Sequence, residues 1–189
     1  MSHEDSSGRT GDSRNVVLRS DVAAADRDHV RWIVESTGFF RPDEVDVAVE
    51  LVDERLAKGP PSGYEFVFAE RDGRTVGYAC YGPIACTIGS YDLFWIAVDR
   101  ADQRGGLGRR LLEAAEDAIR RAAGRHIYIE TSNRPQYAST RGFYERCGYR
   151  LAAVLPEFYA PGDDKVIYVK DLTPTDRTAS PIAGGLPGR

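Results

Sequence analysis

The chain has 189 residues, of which 42% are hydrophobic and 29% charged, with a formal net charge of -4. One ordinary domain fills that length, and the composition excludes wholly disordered, collagen-like and coiled-coil chains. The acidic balance gives no general attraction to phosphate backbones, no apolar run reaches the roughly 18 residues of a membrane span, and the N-terminus is too polar for a secretory signal. We therefore expect a soluble, cytoplasmic protein with no nucleic-acid or membrane partner.

Composition along the chain predicts one folded core between two flexible ends. Residues 1–14 are rich in Ser, Gly, Asp and Arg, and residues 173–189 are rich in Pro, Gly and Thr. Neither end carries enough apolar surface to offset the entropy of ordering. The prediction is a flexible tail over 1–14, a single domain over 15–172 and a second flexible tail over 173–189.

The first half of the core predicts a strand, two helices and a hairpin. NVVLRS is a strand candidate, DRDHVRWIVEST has a helical apolar stripe that Gly38 ends, and a second helix begins at Pro42 and stops at Gly59. YEFVFAE and TVGYACYG flank an Asp72-Gly73 turn signal, which is typical of a hairpin. SYDLFWIAV is apolar on both faces and is expected at the centre of a sheet.

The second half predicts alternating helices and strands. After the loop DRADQRGGLG, the segment RRLLEAAEDAIRRAAG has apolar residues at helical spacing and ends at Gly124. HIYIET reads as a buried strand, STRGFYERCG as a short helix and YRLAAVL as a strand. FYAPGDDKVIYVKDL closes the core through a Pro-Gly-Asp-Asp turn. The whole pattern indicates a mixed α/β fold.

The cysteines and histidines do not have the spacing of a metal site. Cys80, Cys86 and Cys147 are odd in number and lack CxxC spacing, so we expect them to be reduced and mostly buried. His29 and His126 stand alone in the sequence. No metal is expected.

The most informative segment joins WIAV to the following helix. Gly105, Gly106 and Gly108 stand in a short loop after a buried strand, where backbone amides can approach a ligand at the helix N-terminus. That arrangement suits an anion, especially a pyrophosphate. Three arginines could add charge-assisted hydrogen bonds at the rim: Arg104, Arg109 and Arg110.

Spacing distinguishes between three types of phosphate loop. No lysine lies near this loop, which argues against a Walker loop, and GGLG after several strands is not the GxGxxG of a first βα unit. The remaining pattern is Gln/Arg-x-x-Gly-x-Gly, met by Gln103, Gly106 and Gly108.

Four ordered features make the stretch from Tyr91 to about Lys170 resemble the GNAT superfamily of acyl-CoA-dependent N-acetyltransferases. They are the strand ending IAVD, the QRGGLG loop with its helix, the strand HIYIET, and FYERCGY near the chain's end. The resemblance implies a central mixed, mostly antiparallel sheet of about seven strands flanked by helices, in which a splayed pair of strands holds CoA.

The resemblance also implies a binding site for acetyl-CoA, or another acyl-CoA, as co-substrate. The main chain of Ile96, Ala97 and Val98 would face the pantetheine arm. The loop residues that would hold the pyrophosphate are Arg104, Gly105, Gly106, Leu107, Gly108 and Arg109. The alternative is that GGLG is only a tight turn between a strand and a helix.

Acyl transfer to an amine needs two proton movements. The acceptor ammonium, with a pKa of roughly 10, must lose a proton, and the thiolate, with a pKa of roughly 8.5, leaves better when protonated. A tyrosine stays protonated at neutral pH and can supply that proton. Tyr144, at the tyrosine position of FYERCGY, is the candidate general acid. The alternative is a half-buried aromatic of the helix.

Asp92 is the first candidate for the general base, because some GNAT enzymes carry a catalytic glutamate at this point before the glycine loop. Regular alternation would place it on one face of its strand with Phe94, Ile96 and Val98, opposite Tyr91, Leu93, Trp95 and Ala97. An unpaired acid in so apolar a strand should have a raised pKa. Glu130 on the next strand and an ordered water are the alternatives.

One departure from the family concerns the segment SNRPQYAST. Many family members place an asparagine about seven residues before the tyrosine, near the CoA thiol. Here Asn133 lies eleven residues before Tyr144, and Tyr137 lies seven before it. Asn133 and Tyr137 are both candidates for contact with CoA, while Arg134, Tyr137 and Arg141 could equally form the acceptor rim or lie in solvent.

The acceptor pocket should involve the two early helices and the FYAPGDDK return. Acidic residues could favour a cationic amine or simply be solvated: Glu35, Asp43, Glu44 and Asp46. Aromatic residues expected in loops could form the wall of the pocket, or be core or homodimer contacts: Phe39, Phe40, Phe158 and Tyr159.

The sequence therefore predicts an acyltransferase that moves an acetyl or other short acyl group directly to a small-molecule amine. Three alternatives stay open. The acceptor could be a protein N-terminus or lysine; the donor could be an acyl-tRNA or a carrier protein; or the chain could bind CoA without catalysis.

Overall fold

The computed structural model describes residues 16–173, so the tails predicted at the two ends, apart from Thr173, lie outside the described residues. The strands are β1 (Val16–Arg19), β2 (Glu65–Arg71), β3 (Arg74–Pro83), β4 (Ser90–Val98), β5 (His126–Ser132), β6 (Arg150–Ala160) and β7 (Asp163–Asp171). The helices are α1 (Asp26–Thr37), α2 (Pro42–Lys58), α3 (Leu107–Arg121) and α4 (Ala138–Arg146). All elements predicted from the sequence are present.

The strands form one seven-stranded sheet in the order β1-β2-β3-β4-β5-β7-β6. Every neighbouring pair is antiparallel except β4 and β5, which are parallel and joined through α3. The predicted mixed, mostly antiparallel sheet is confirmed, and β4 is the central strand as expected. The last strand, β7, lies between β5 and β6.

Helices cover both faces of the sheet, and each face has its own apolar core. α3 and α4 pack on one face, where the core includes Leu93, Val98 and Leu111. α1 and α2 pack on the other, over Phe66, Tyr78 and further apolar residues. None of the helices within 16–173 is long and apolar enough to cross a membrane.

The turns follow the local chemistry of their residues. Asp72 and Gly73 have φ of 52° and 76°, as a two-residue hairpin turn between right-twisted strands requires. Gly38 ends α1 with φ of 69°, and Pro42 opens α2. The last turn is shorter than predicted, because β6 continues to Ala160.

The parallel pairing between β4 and β5 is short. It covers Ser90–Leu93 against His126–Ile129, and no further strand pair joins the two in the described part of the chain. Beyond that point β4 stays paired with β3, and β5 stays paired with β7. The two central strands are therefore not paired with each other from there to the β4–α3 loop, and we call this unpaired stretch the gap.

A β-bulge in β4 overturns the predicted alternation of its side chains. Cys80 of β3 pairs with Trp95, but the next residue, Tyr81, pairs with Leu93, so Phe94 is an extra residue. Leu93 consequently shares the α3 face with Ile96 and Val98, whereas Trp95 and Ala97 face α1 and α2. The prediction that Asp92 shares a face with Ile96 and Val98 is wrong, because Asp92 neighbours Leu93 and so faces α1 and α2.

An ion pair with a buried carboxylate joins α1 to β1. The Asp26 side chain is completely buried, and its Oδ2 and Oδ1 accept hydrogen bonds from Arg19 at 2.9 Å and 2.5 Å. Burial alone would raise the pKa of Asp26, but hydrogen bonds from Arg19 and the Ala23 N–H hold it below its ordinary value of 3.8. The ionised carboxylate therefore stabilises the fold above that value, and its contribution is lost as pH falls through the lowered pKa.

We expect Asp26→Asn to reduce the free energy of unfolding by about 3 kcal/mol near neutral pH, because Arg19 then loses the completely buried one of its two carboxylate partners and keeps only Glu70. Urea unfolding measures the change. As pH falls through the lowered pKa of Asp26, the wild-type carboxyl also becomes protonated, so the difference between the proteins should shrink. Asp53→Asn, which removes an exposed partner of Arg27, is the matched control and should cost less than about 1 kcal/mol. A difference that grows towards low pH would contradict this account.

Candidate functional site

The β4–α3 loop has the backbone shape of an anion site. Gly106 has φ of 77° and caps α3, which begins at Leu107, two residues earlier than predicted. The first backbone bond into the helix is from the Arg110 N–H to the Gly106 carbonyl. The amides of Leu107, Gly108 and Arg109 therefore lie in the first turn, where N–H groups have no carbonyl partner within the helix. The Leu107 side chain is buried, so only its main chain can serve a ligand.

The acidic side chains of this loop have partners within the protein, whereas a basic side chain is exposed to solvent. Asp99 is buried and accepts a hydrogen bond from Arg74 at 2.9 Å, while Asp102 pairs with Arg71 and Arg74. The Gln103 amide donates to the Val98 carbonyl at 3.0 Å and ties the loop to β4. Arginines of β2 and β3 therefore neutralise both acidic groups of the loop, whereas the side chain of Arg104 is exposed.

The glycines and the neighbouring arginines take different roles. A Cβ on Gly106 would meet nothing within 4 Å, and one on Gly108 would touch the Phe143 ring at 3.7 Å. The Arg109 guanidinium donates to the Arg146 carbonyl at 3.0 Å, which joins α3 to α4. The Arg110 guanidinium donates to the Val16 carbonyl on β1, so it is directed to the sheet edge and not to the loop rim as predicted.

The end of β4 forms one side of the gap. Val98, Ala97 and Ile96 pair with β3 along one edge of the strand. Within the described residues no strand pairs with their other edge, which faces the gap. The three residues predicted to present main-chain groups to a ligand therefore lie where an extended molecule could run beside them.

Two carboxylates lie together at the start of the gap. Asp92 on β4 and Glu130 on β5 both face α1 and α2, since each neighbours a residue of the opposite core, Leu93 and Ile129 respectively. Burial first, and the negative charge of Glu130 second, raise the pKa of Asp92, while Lys165 opposes them. Glu130 differs from Asp92 in having a direct partner: its Oε2 lies 2.6 Å from the Lys165 Nζ.

Tyr144 lies on the opposite face of the sheet from both carboxylates. It lies on α4 and is buried in the core that α3 also covers, and its ring contacts Phe143, Tyr149 and Tyr168 at centroid distances of 5.3, 5.9 and 6.3 Å. Burial raises the pKa of its hydroxyl above the ordinary value, so the group is protonated at neutral pH. The Tyr144 side chain is thus buried, whereas the alternative prediction was a half-buried aromatic of the helix.

Hydrogen bonds and an ion pair connect the β5–α4 loop to the start of β7. The Asn133 amide donates to the Asp164 carboxylate at 2.6 Å, and its oxygen accepts the Asp164 N–H at 3.0 Å. Ser132 donates to Asp163 at 2.5 Å, and Arg134 pairs with the same carboxylate at 2.8 Å. Both ends of the Asn133 amide are thus engaged within the protein.

Tyr137 belongs to the α1–α2 side of the site. Its ring lies 6.4 Å from that of Phe39, and burial, followed by the charge of Glu44, raises the pKa of its hydroxyl. Arg141 donates to the carbonyls of Ser132 and Arg134, which makes it a support for the loop.

Two of the four aromatic residues predicted in loops lie near Glu130, and these two are in a strand. Phe158 and Tyr159 lie within strand β6, with 53% and 48% of their surface exposed. Burial, and then the charges of Glu130 and Asp163, raise the pKa of Tyr159 to about 12. Phe39 is exposed beside Tyr137, whereas Phe40 packs on Trp95 at 4.9 Å and belongs to the core.

The four acidic residues predicted near the acceptor each pair with an arginine. Arg31 contacts Asp46 at 2.9 Å and Glu35 at 3.9 Å, and Arg41 contacts Asp43 at 3.0 Å and Glu44 at 3.9 Å. Two arginines are shared among these four carboxylates, so the group keeps a net negative charge. The cysteines are free, with Cys80 buried, Cys147 half-buried and Cys86 exposed, so only part of the expected burial is found.

Lys165 is the residue of the site that the sequence reasoning missed. Its ammonium lies 2.6 Å from Glu130 and 3.6 Å from the centre of the Phe158 ring. The sequence offered one signal for this residue: lysine is rare in the chain, since only three of the 25 basic residues are lysine.

Comparison with known proteins agrees with this fold. A family model described as an acetyltransferase (GNAT) domain matches residues 62–151. A solved structure from Desulfovibrio desulfuricans, assigned to the GNAT family of acetyltransferases, is 51% identical with a TM-score of 0.83, and the match covers 84% of this chain and 99% of that one. An aminoglycoside 6'-N-acetyltransferase complexed with coenzyme A is 20% identical, covers 84% and 98%, and has a TM-score of 0.69, which shows the fold alone.

Two curated proteins are also similar. An uncharacterised N-acetyltransferase from Methanocaldococcus jannaschii is 33% identical over 110 residues, 56% of this chain and 65% of that protein. A blasticidin-S acetyltransferase from Streptomyces morookaense is 40% identical over 81 residues, 43% of this chain and 55% of that protein. The chain therefore matches less than two thirds of the length of either.

Proposed function

The chain belongs to the GNAT family of N-acetyltransferases, and from that membership we propose that it transfers an acetyl group from acetyl-CoA to the amine of a small molecule. The observation that carries the proposal is the gap between β4 and β5. A glycine loop lies at its open end, two carboxylates lie on one face of the sheet, and a buried tyrosine lies on the other.

The donor side of the proposed site is the β4–α3 loop with the free edge of β4. The first-turn amides of α3 and the Arg104 guanidinium would hold the pyrophosphate, and the open space at Gly106 supports a close approach. The main chain of Ile96–Val98 would bind the pantetheine arm as a neighbouring strand would. An N–H near Val98 would polarise the thioester carbonyl. Acetyl-CoA supplies the activated acyl group.

The proton movements are assigned to residues on opposite faces of the sheet. Asp92 would take a proton from the acceptor ammonium, because it lacks the direct lysine partner that Glu130 has. Tyr144 would give a proton to the departing thiolate from the α3 side. An amine arriving between α1, α2 and β6 would then attack the carbonyl from the face opposite Tyr144.

Direct attack by the amine is favoured over a covalent acyl-enzyme. Cys80 is buried, and Cys147 packs against the core under α3 and α4. Cys86 precedes β4, at the end where that strand is paired with β5 and the gap is closed. The positions of the three thiols do not fit a nucleophile facing the gap.

A small-molecule amine is the acceptor that the site supports best. The aromatic rim of Phe39, Phe158 and Tyr159 can pack on a compact, partly apolar body, and the carboxylates below it suit an ammonium group. The relative named as a blasticidin-S acetyltransferase agrees with such an acceptor.

The experiment is a thiol-release assay with acetyl-CoA over a panel of small amines, together with peptides carrying a free N-terminus or a lysine. Release with small amines supports the proposal, and release only with peptides would replace the acceptor class. Binding of acetyl-CoA in titration calorimetry with no release by any amine would point to a non-catalytic CoA-binding protein. No binding of acetyl-CoA would point to a different donor.

We expect Gly106→Ala to weaken acetyl-CoA binding about tenfold, which is about 1.4 kcal/mol, because a Cβ would enter the space proposed for the pyrophosphate. Because Gly106 has φ of 77°, the substitution also lowers the free energy of unfolding by about 1 kcal/mol. Gly162→Ala is the matched control, since Gly162 has φ of 74° and equally open surroundings in the β6–β7 turn. Calorimetry should show weaker binding in the first variant only, and equal affinities would remove the loop from the donor site.

A further inference from the structure

Lys165 has an environment unlike that of the other lysines. It lies on β7, where Val166 and Tyr168 face α3 and α4, so Lys165 faces the opposite side with Glu130 and Asp92. Its side chain is only 12% exposed. The ammonium is held by the Glu130 carboxylate at 2.6 Å and by the Phe158 ring at 3.6 Å from the centroid.

This ammonium lies beside the gap between the central strands. Glu130 directly follows Ile129, the last residue of β5 that pairs with β4, so it stands where the gap begins. Lys165 also acts electrostatically on Asp92, across the gap on β4. The Lys165 ammonium thus lies between Glu130 of β5 and Phe158 of β6, at the point where the gap begins.

Resting on the proposed function, we propose that Lys165 is a site of self-acetylation, modified by the protein's own bound acetyl-CoA when no acceptor amine is present. The Lys165 ammonium loses a proton to Glu130 or Asp92, and the amine attacks the thioester carbonyl. The C–S bond breaks as the N–C amide bond forms, and the nitrogen loses a second proton as the thiolate gains one. The products are Nε-acetyl-Lys165, free CoA and one proton.

The other two lysines provide internal controls. Lys58 on α2 is 59% exposed and pairs with Glu54. Lys170 faces α3, where its Nζ contacts both oxygens of Glu116 at 2.8 and 2.7 Å. Uncatalysed acetylation in solution follows exposure and would favour Lys58 over Lys165. Self-acetylation predicts the reverse order, because only Lys165 lies beside the gap.

Acetylation would also change the acceptor side. It removes the positive charge that neutralises Glu130 and leaves two carboxylates, Glu130 and Asp92, near each other without their shared cation. It adds an acetyl group among the aromatic side chains of the rim. The modified protein should therefore acetylate other amines more slowly than the unmodified protein.

The experiment incubates the full chain with acetyl-CoA alone and measures the acetylated fraction of each lysine by peptide mass spectrometry. We expect Lys165 to be modified about tenfold faster than Lys58, at a rate per molecule that does not depend on protein concentration. Excess CoA should suppress modification of Lys165 but not that of Lys58. Lys165→Arg keeps the ion pair and should abolish the fast modification, whereas Lys58→Arg should leave it unchanged.

The outcomes separate this inference from the proposed function. Thiol release with small amines while Lys165 remains unmodified would overturn the inference and leave the function standing. Lys58 modified as fast as Lys165, or the same order of reactivity in protein unfolded by urea, would assign the modification to solution chemistry and also overturn it. If calorimetry detects no acetyl-CoA binding, both proposals fail.

Discussion

Replacing Tyr144 with phenylalanine should lower kcat by at least about tenfold while leaving acetyl-CoA binding nearly intact. The substitution removes only the hydroxyl that would protonate the departing thiolate. Phenylalanine keeps the ring that packs against Phe143, Tyr149 and Tyr168, so the core under α3 and α4 is preserved. Steady-state kinetics and calorimetry with acetyl-CoA measure the two quantities separately.

Tyr168→Phe is the matched control for that change. Tyr168 lies in the same aromatic cluster, and its hydroxyl donates to Glu145 at 2.9 Å, on the α4 side of the sheet. The Tyr168→Phe variant should keep nearly the full kcat of the wild-type protein. An unchanged kcat in the Tyr144 variant would remove that hydroxyl from the reaction, and an equal loss in both variants would assign the effect to packing.

Asp92→Asn is expected to lower kcat/KM by about a hundredfold, because an amide cannot take a proton from the acceptor ammonium. Burial and the charge of Glu130 raise the pKa of Asp92 above its ordinary value of 3.8. A base acts only when ionised, so wild-type kcat/KM should fall as pH decreases through that raised pKa. The variant should lack this decline, which a pH profile of kcat/KM measures.

Glu130→Gln tests the other carboxylate at the same place in the gap. The substitution removes the ion-pair partner of Lys165 but keeps Asp92, the proposed base. We therefore expect kcat/KM to fall much less than in the Asp92 variant. The acid limb should also move to lower pH, because one of the charges that raise the pKa of Asp92 is gone. The reverse order of effects would make Glu130 the base. Small effects of both substitutions would favour an ordered water.

Local sequence patterns were sufficient to predict most of the fold. The helical stripe before Gly38, the Asp72-Gly73 turn and the glycine loop before α3 are features of consecutive residues, and each is confirmed. The central place of β4 followed from apolar residues on both faces of one strand. Such signals need no knowledge of distant partners.

The sequence did not reveal contacts between distant parts of the chain. The bulge at Phe94 depends on the register between β3 and β4, so a two-residue alternation could not reveal which face Asp92 occupies. Asn133 is held by Asp164, 31 residues further along the chain. Lys165 is brought to Glu130 because β7 enters the sheet between β5 and β6. Arg110 likewise binds the Val16 carbonyl, 94 residues away.

The short pairing of β4 with β5 also affects how the protein unfolds. It divides the sheet into a half formed by β1–β4 and a half formed by β5, β7 and β6, which are joined within the sheet by four residue pairs. Local opening at this junction breaks few hydrogen bonds, so its amides should exchange with solvent before those inside either half. A molecule bound between the strands would contact both halves and, at a hundredfold excess over its Kd, stabilise the folded state by about 2.7 kcal/mol. Substrate binding would thus make the two halves unfold as one cooperative unit.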